Sequence, residues 1–334
     1  MVINIVWVTD IAAMVWQDGQ AVSVPVVLDQ LKALVDDASR LTWLDASVST
    51  LPQIGELLGL DAHTLEDAQG VRERPKATRL GSYSFATVYG AGLVKTVTTR
   101  GRVALAPVSF YMLPTCLVTV RPGGHFDMQP VIERWQSDPR LVQFGVDGLA
   151  QGLLDVVVDQ QFEVLQGLDD DAEALIAKLF VDNPDLRELQ KQTFMVRREV
   201  LELRRVVPPM RDVVATLMRA GEAERSWVIE LVSYYEDLND HVLRATEWLD
   251  SLRDLVSSIF ETNLALNDNH MNQVMKKLAG WAAIIAVPTL ITGWFGMNVP
   301  YFGFGTVAGF IGSSVVILAA AVVLWFVMRR KDWI

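Results

Sequence analysis

The sequence has one cysteine, Cys116, in 334 residues, so no intrachain disulfide can staple the fold. It sits in the apolar run Cys116-Leu117-Val118-Thr119-Val120, where a small core residue is expected. The four histidines, His63, His125, His241 and His270, are scattered with nothing like H-E-x-x-H spacing. A Gly-rich phosphate loop and a Cys pair are also missing, so the residues point away from an enzyme. Met1 to Val8 is short and lacks a basic start, and no cleavable signal peptide is expected. Two longer absences matter more. Between Glu222 and Lys277 there is neither Gly nor Pro, and between Leu278 and Met328 there is no charged residue.

The uncharged stretch is a membrane signal. About 20 apolar residues cross a hydrocarbon core of roughly 30 Å, so these 51 residues read as two spans and a tight loop. Asn298-Val299-Pro300 makes the break, because Asn is costly in lipid and Pro300 lacks an N–H. The spans are placed near Leu278–Phe295 and Thr306–Met328. Lys276 and Lys277 precede the first, and Arg329, Arg330 and Lys331 follow the second, so both termini are expected in the cytoplasm, with the cell inner membrane as the location. Trp294, Phe295, Tyr301 and Phe302 suit the outer interface and Trp333 the inner one. The net charge is -11; the four charges after Leu278 sum to +2, which leaves -13 on residues 1–277. An acidic body argues against nucleic acid and suits a protein that collects cations.

Steps of three and four along the first span and its approach place Glu261, Ala265, Asp268, Asn272, Met275, Ala279, Ala282, Ala286, Thr289 and Gly293 on one stripe. Trp281, Ile284, Ile285 and Leu290 fall elsewhere. A packing seam between membrane helices uses small residues in the same way. This stripe differs in beginning with carboxylates and amides, which in a symmetric ring become collars around an axis.

The body reads as α/β to about residue 145. Val2–Val8, Leu41–Asp45, Tyr83–Tyr89, Leu93–Thr98 and Cys116–Val120 have strand composition, and Leu28–Ala38 and Pro52–Leu58 have helical spacing. From Leu149 the period is helical, with an end expected near Asp169-Asp170-Asp171 and a further segment to Phe180. Asn183-Pro184-Asp185 is a helix start with Pro at the first helical position; that helix runs to Pro208-Pro209 and resumes over Met210–Arg219. The Gly- and Pro-free stretch that follows is roughly 80 Å of potential helix at 1.5 Å per residue.

At the end of the chain, Gly296-Met297-Asn298 closes the first of two spans. It is preceded by Met271-Asn272-Gln273-Val274-Met275-Lys276-Lys277-Leu278 and Pro288-Thr289-Leu290, and followed by the basic end at Arg329–Lys331 with Trp333. This order resembles the CorA family of divalent-cation channels, within the CorA/ZntB superfamily. The phrases Thr64-Leu65-Glu66-Asp67-Ala68, Arg74-Pro75-Lys76 and Tyr83-Ser84-Phe85 resemble its cytoplasmic domain, and Leu113–Val120 its late strand.

The resemblance implies a funnel-shaped homopentamer in the lipid bilayer. Residues 1–145 would form the cytoplasmic α/β domain, 146–221 antiparallel helices, 222–277 a stalk, 278–297 the pore-lining span, 298–305 the outer loop, 306–328 the second span and 329–334 a basic cytoplasmic end. It implies divalent cations as cargo, Mg²⁺ with Co²⁺ and Ni²⁺, and no organic cofactor. Gly296, Met297 and Asn298 would form the filter, Asn272 and Thr289 polar collars, Met275 and Leu278 a hydrophobic gate, and Asp268 and Glu261 an acidic exit. Regulatory Mg²⁺ would lie between neighbouring copies at Glu66, Asp67, Asp237 and His241. The outer loop, Val299-Pro300-Tyr301-Phe302-Gly303-Phe304-Gly305, departs from the family by carrying no carboxylate, a trait shared with the ZntB branch, which moves Zn²⁺. A ZntB-like transporter therefore stays open, as does a membrane-tethered metal sensor without transport; the lack of Cys or His in the spans favours Mg²⁺.

Overall fold

The computed structural model describes residues 11–17, 20–23, 28–70, 73–98, 101–181, 184–224, 227–297, 299–300, 302–331 and 333. The strand expected at Val2–Val8 lies outside them. The chain divides into two compact units, Met1–Pro184 with Leu189–Ile259, and Asp185–Glu188 with Phe260–Ile334.

The first unit is built on a seven-stranded sheet of β1 (Ile11–Gln17), β2 (Gln20–Ser23), β3 (Leu41–Ala46), β4 (Lys76–Leu80), β5 (Tyr83–Thr98), β6 (Gly101–Met112) and β7 (Cys116–Val120). Its order is β2-β1-β3-β7-β6-β5-β4, with β3 and β7 parallel and every other pair antiparallel. The central strands are covered on both sides: all five residues of β7 are buried, Cys116, Val118 and Val120 facing one core and Leu117 the other. Cys116 is thus the small core residue that its apolar run predicts.

Helices α1 (Leu28–Val35), α2 (Leu51–Leu58) and α3 (Ala62–Gln69) cover one face through Leu31, Leu51, Ile54 and Ala68. The other face is packed by α4 (Gln129–Ser137), the short α5 (Pro139–Gln143) and α6 (Gly145–Leu179). Trp135 of α4 is the pivot of this core. Its ring meets Trp16 and Trp43 edge-on at 5.9 and 5.4 Å, and its indole N–H donates to the Leu149 carbonyl at 2.9 Å. Losing such a side chain costs on the order of 3–5 kcal/mol.

Several expectations are corrected. The segments 83–89 and 93–98 are one strand, β5. Helix α6 does not end at Asp169-Asp170-Asp171, because neighbouring groups engage the charges there: the Trp248 indole donates to Asp169 at 3.3 Å, and Arg102 pairs with Asp171. Helix α7 (Leu186–Leu203) starts after Pro184, with the Asp185 carboxylate accepting the Glu188 N–H at 3.1 Å, so Asp185 caps it and Pro184 stands outside. The chain turns through Pro208 and Pro209 into α8 (Met210–Glu224). Helix α9 (Ile229–Phe295) begins seven residues later than the expected stalk start at Glu222. The reason is tertiary: Trp227 lies against Gly221 and stacks on Tyr235 at 4.4 Å, and Trp227 and Val228 stand outside the helix.

In the second unit the C-terminal part of α9 and helix α10 (Val307–Arg330) are each long and apolar enough to cross a membrane. They match the two expected spans to within two residues at their far ends. Thr306 caps α10, its hydroxyl accepting the Gly309 N–H at 3.1 Å.

Candidate functional site

The membrane part of α9 has two unlike faces. Gly280, Ile284, Val287, Pro288, Ile291 and Phe295 are covered or half-covered and recur at helical spacing. The stripe read from the sequence is exposed throughout, at Glu261, Ala265, Asp268, Asn272, Met275, Ala279, Ala282, Ala286, Thr289 and Gly293, and so is the expected gate residue Leu278. An open groove on this side is lined by Ala282, Ala286, Thr289, Gly293 and Met297 together with the large apolar Ile285, Leu290 and Trp294. Leu278, at the start of the span, is 61% exposed and Met275 60%, so two large apolar side chains are open just before the groove. Trp281, Ile285, Leu290 and Trp294 are exposed as well, and within that surface the stripe itself is small and polar in the span and acidic at its approach, a pattern that suits a partner surface or a water-filled axis.

Thr289 and Thr292 turn their hydroxyls back to the carbonyls of Ile285 and Thr289, at 2.8 and 2.9 Å. In lipid this is how a hydroxyl is satisfied, and it supplies bonding near Pro288, which has no N–H to give. The helix closes at Phe295. The Gly296 N–H still reaches the Thr292 carbonyl at 2.9 Å and that of Met297 the Trp294 carbonyl at 3.3 Å, so Gly296 and Met297, two of the three residues expected in a filter, form the last turn. Asn298 and Tyr301 lie outside the described residues. Gly303 and Gly305 have φ of +87° and +72°, which side chains other than glycine rarely adopt.

The regulatory candidates lie in the first unit. The Asp61 carboxylate caps α3 by accepting the His63 N–H at 3.0 Å, and Tyr83 and Tyr111 bond to the backbone of Asp61 and Thr64 at 2.7 and 2.8 Å. This fixes α3 to the sheet and sets Glu66 exposed and Asp67 half-exposed in its second turn. Asp67 is 2.9 Å from the Lys76 ammonium, which also lies 3.0 Å from Glu73. On α9, His241 Nε2 is 3.8 Å from the Asp237 carboxylate, one turn away. Among the described residues no three His, Cys, Asp or Glu side chains of one chain form a group that could hold a metal. The four candidates therefore do not meet in a single copy.

Sequence reading missed what surrounds Asp237 and His241. Their charges act on Asp155 of α6, which pairs with Arg134 of α4 at 2.7 Å, and His241 acts on Asp159. Burial raises the pKa of both carboxyls above the ordinary range. The available signal was the polar row Gln151, Asp155, Asp159 and Glu163 at steps of four along a helix whose buried face is apolar.

A sheet-based body continuing through one long helix into two spans defines a membrane protein with a large extramembrane domain. The sequence profile described as "CorA-like Mg2+ transporter protein" matches residues 38–330, and the chain belongs to that family. It is 27% identical over 312 residues to the cobalt/magnesium transport protein CorA of Thermotoga maritima, covering 89% of this chain and 85% of that one. It is 23% identical over 279 residues to the zinc transport protein ZntB of Yersinia enterocolitica, covering 79% and 78%. The solved structure of the CorA magnesium transporter from Methanocaldococcus jannaschii matches with a TM-score of 0.72 at 21% identity, covering 96% of this chain and 98% of that one.

Proposed function

We propose that the chain assembles as a homopentamer in the cytoplasmic membrane, both termini cytoplasmic, and conducts Mg²⁺ inward, with Co²⁺ and Ni²⁺ as further permeant ions. One observation carries this reading: a single unbroken helix, Ile229–Phe295, brings a wholly exposed stripe of small and polar residues from the acidic approach to the Gly-Met-Asn end of the span. Repeated around an axis, that stripe lines a pore. Mg²⁺ sheds its waters reluctantly, so a ring of Asn298 amides that hydrogen-bonds those waters admits the hydrated ion without stripping it. Met275 and Leu278 form the hydrophobic constriction, and Asp268 and Glu261 the acidic exit.

Glu66 and Asp67 of one copy and Asp237 and His241 of its neighbour are the regulatory ligands in this reading. The fit is chemical: Mg²⁺ favours carboxylate oxygens and water, and the Asp237 side chain is 71% exposed and open to a second copy. Bound there, the dication bridges carboxylates of two copies. High internal Mg²⁺ then favours the closed assembly, and its depletion releases α9.

A second reading, Zn²⁺ transport, is favoured by the outer loop, which has no carboxylate between Val299 and Gly305. The test is uptake into proteoliposomes loaded with a Mg²⁺ dye, wild type beside Asn298→Ala, with Zn²⁺ in parallel. Mg²⁺ flux lost on substitution supports the channel; Zn²⁺ flux alone moves the protein to the second reading. Absence of both fluxes leaves a membrane-tethered metal sensor.

A further inference from the structure

Lys76 joins two carboxylates that belong to different pieces of chain. It opens β4, an edge strand paired to β5 from Lys76↔Thr87 onward, so its backbone is fixed by the sheet. Its ammonium sits 2.9 Å from Asp67 on α3 and 3.0 Å from Glu73 in the loop before β4. Both partners are themselves anchored. The Tyr89 hydroxyl donates to the Glu73 carbonyl, and the Gly70 N–H closes α3 onto the Asp67 carbonyl at 3.1 Å. All three charged side chains are about a third exposed, so a solvated ion reaches them without rearrangement of the core.

We infer that Lys76 is a tethered competitor for the Asp67 carboxylate, one that sets how much divalent cation the regulatory site needs. This rests on the reading of Asp67 as a regulatory ligand. A dication arriving at Asp67 meets a fixed positive charge already bonded there. Glu73 supplies the ammonium with a second berth at nearly equal distance, so Lys76 shifts its weight to Glu73 while the dication takes Asp67. The pair Lys76 and Glu73 thereby tunes the threshold in opposite directions: removing the ammonium lowers it, and removing the alternative berth raises it. The device needs no movement larger than one side-chain rotamer.

The experiment uses the full chain in detergent and follows the rise of its thermal unfolding temperature as Mg²⁺ is titrated. Lys76→Met should lower the Mg²⁺ concentration at half-effect about fivefold, the scale of one charge contact near a protein surface. Lys76→Arg should stay within about twofold of wild type, and Glu73→Gln should raise the half-effect concentration about threefold, on the same reasoning. A general folding defect would not give shifts of opposite sign, and the unfolding temperature without Mg²⁺ reports any such defect directly. Asp67→Asn separates the two levels of the claim. If it leaves the Mg²⁺ response untouched, Asp67 is no regulatory ligand and the underlying reading fails. If it weakens the response while Lys76→Met leaves the midpoint unchanged or raises it, the regulatory reading stands and the competitor role of Lys76 is overturned.

Discussion

Tyr234, in the second turn of α9, donates its hydroxyl to the Asp138 carboxylate at 2.7 Å, the same carboxylate that accepts the Arg140 guanidinium at 3.0 Å and caps α5. The long helix is thus tied at its start to the junction between α4 and α5. Bonds from Arg140, ahead of that from Tyr234, hold the Asp138 carboxyl down to about 2. A carboxyl depressed in the folded state stabilises above its ordinary unfolded value near 4, and that stability is lost as pH falls toward 2. Tyr234→Phe and Asp138→Asn should each lower stability at pH 7 by about 1 kcal/mol, discounted for solvent access. Thermal unfolding at pH 7 and pH 3 checks this: the deficit of Asp138→Asn should shrink at the lower pH.

The Asp45–Arg121 pair is of another kind. Asp45 is 2% exposed, bonded by Arg121 and by the Thr119 hydroxyl at 2.8 Å, while Arg121 also donates to the Phe126 carbonyl at 2.8 Å. Arg121→Met strands a buried carboxylate and should cost about 3–5 kcal/mol, whereas adding Asp45→Asn should return part of that loss. Denaturant unfolding of the two variants decides; equal instability in both would show that the cost lies in lost Arg121 packing.

Gly148 marks a close approach of α5 to α6, since a Cβ there would stand 2.0 Å from the Leu141 carbonyl oxygen. That oxygen belongs to the backbone and cannot swing away. Gly148→Ala should therefore destabilise by about 2–3 kcal/mol despite alanine's better helix propensity. Gly167→Ala is the control: its Cβ would meet only the end of the Leu93 side chain, which can turn aside, so the loss in unfolding temperature should be much smaller.

The two faces of α9 make a flux prediction. Ala282 lies on the open face and the adjacent Ala283 is half-covered. Ala282→Leu should cut Mg²⁺ uptake at least about tenfold by narrowing a ring of identical side chains, while Ala283→Leu should act on assembly or stability first. Proteoliposome uptake together with particle size in detergent separates the effects.

What could be read from the sequence followed where the physics was local. Strand β7 was legible from its run of Val, Thr and Leu, and the spans from 51 uncharged residues, because composition alone decides both. Strand β1 was not, since all of its first six residues are buried and so show no alternation. Strand β6 was hidden by Pro107, which ordinarily disqualifies a strand interior. The structure accommodates it because Pro107 faces Tyr89 of β5 while pairing to β7 begins only at Ser109, so the missing N–H meets no partner on that side. The break before α9 was invisible for a different reason: Trp227 folds onto Gly221 and Tyr235, six and eight residues away on two different helices, a packing choice that composition does not show. In the candidate site, the stripe on α9 was legible because helical periodicity survives without tertiary knowledge. The Lys76 bridge was not, since it joins residues on a helix, a loop and a strand.

The absence of glycine and proline from Ile229 to Lys277 has a consequence for how such a chain tolerates change. Inserting one residue anywhere in that stretch turns every later position of α9 by about 100° and advances it 1.5 Å, so the open face would present Trp281 where Ala282 stood. An insertion of seven restores the facing to within about 20°. Length variation here is therefore quantised by helix phase, and single-residue insertions or deletions between Ile259 and Leu278 should be far more damaging than any single substitution on the same surface.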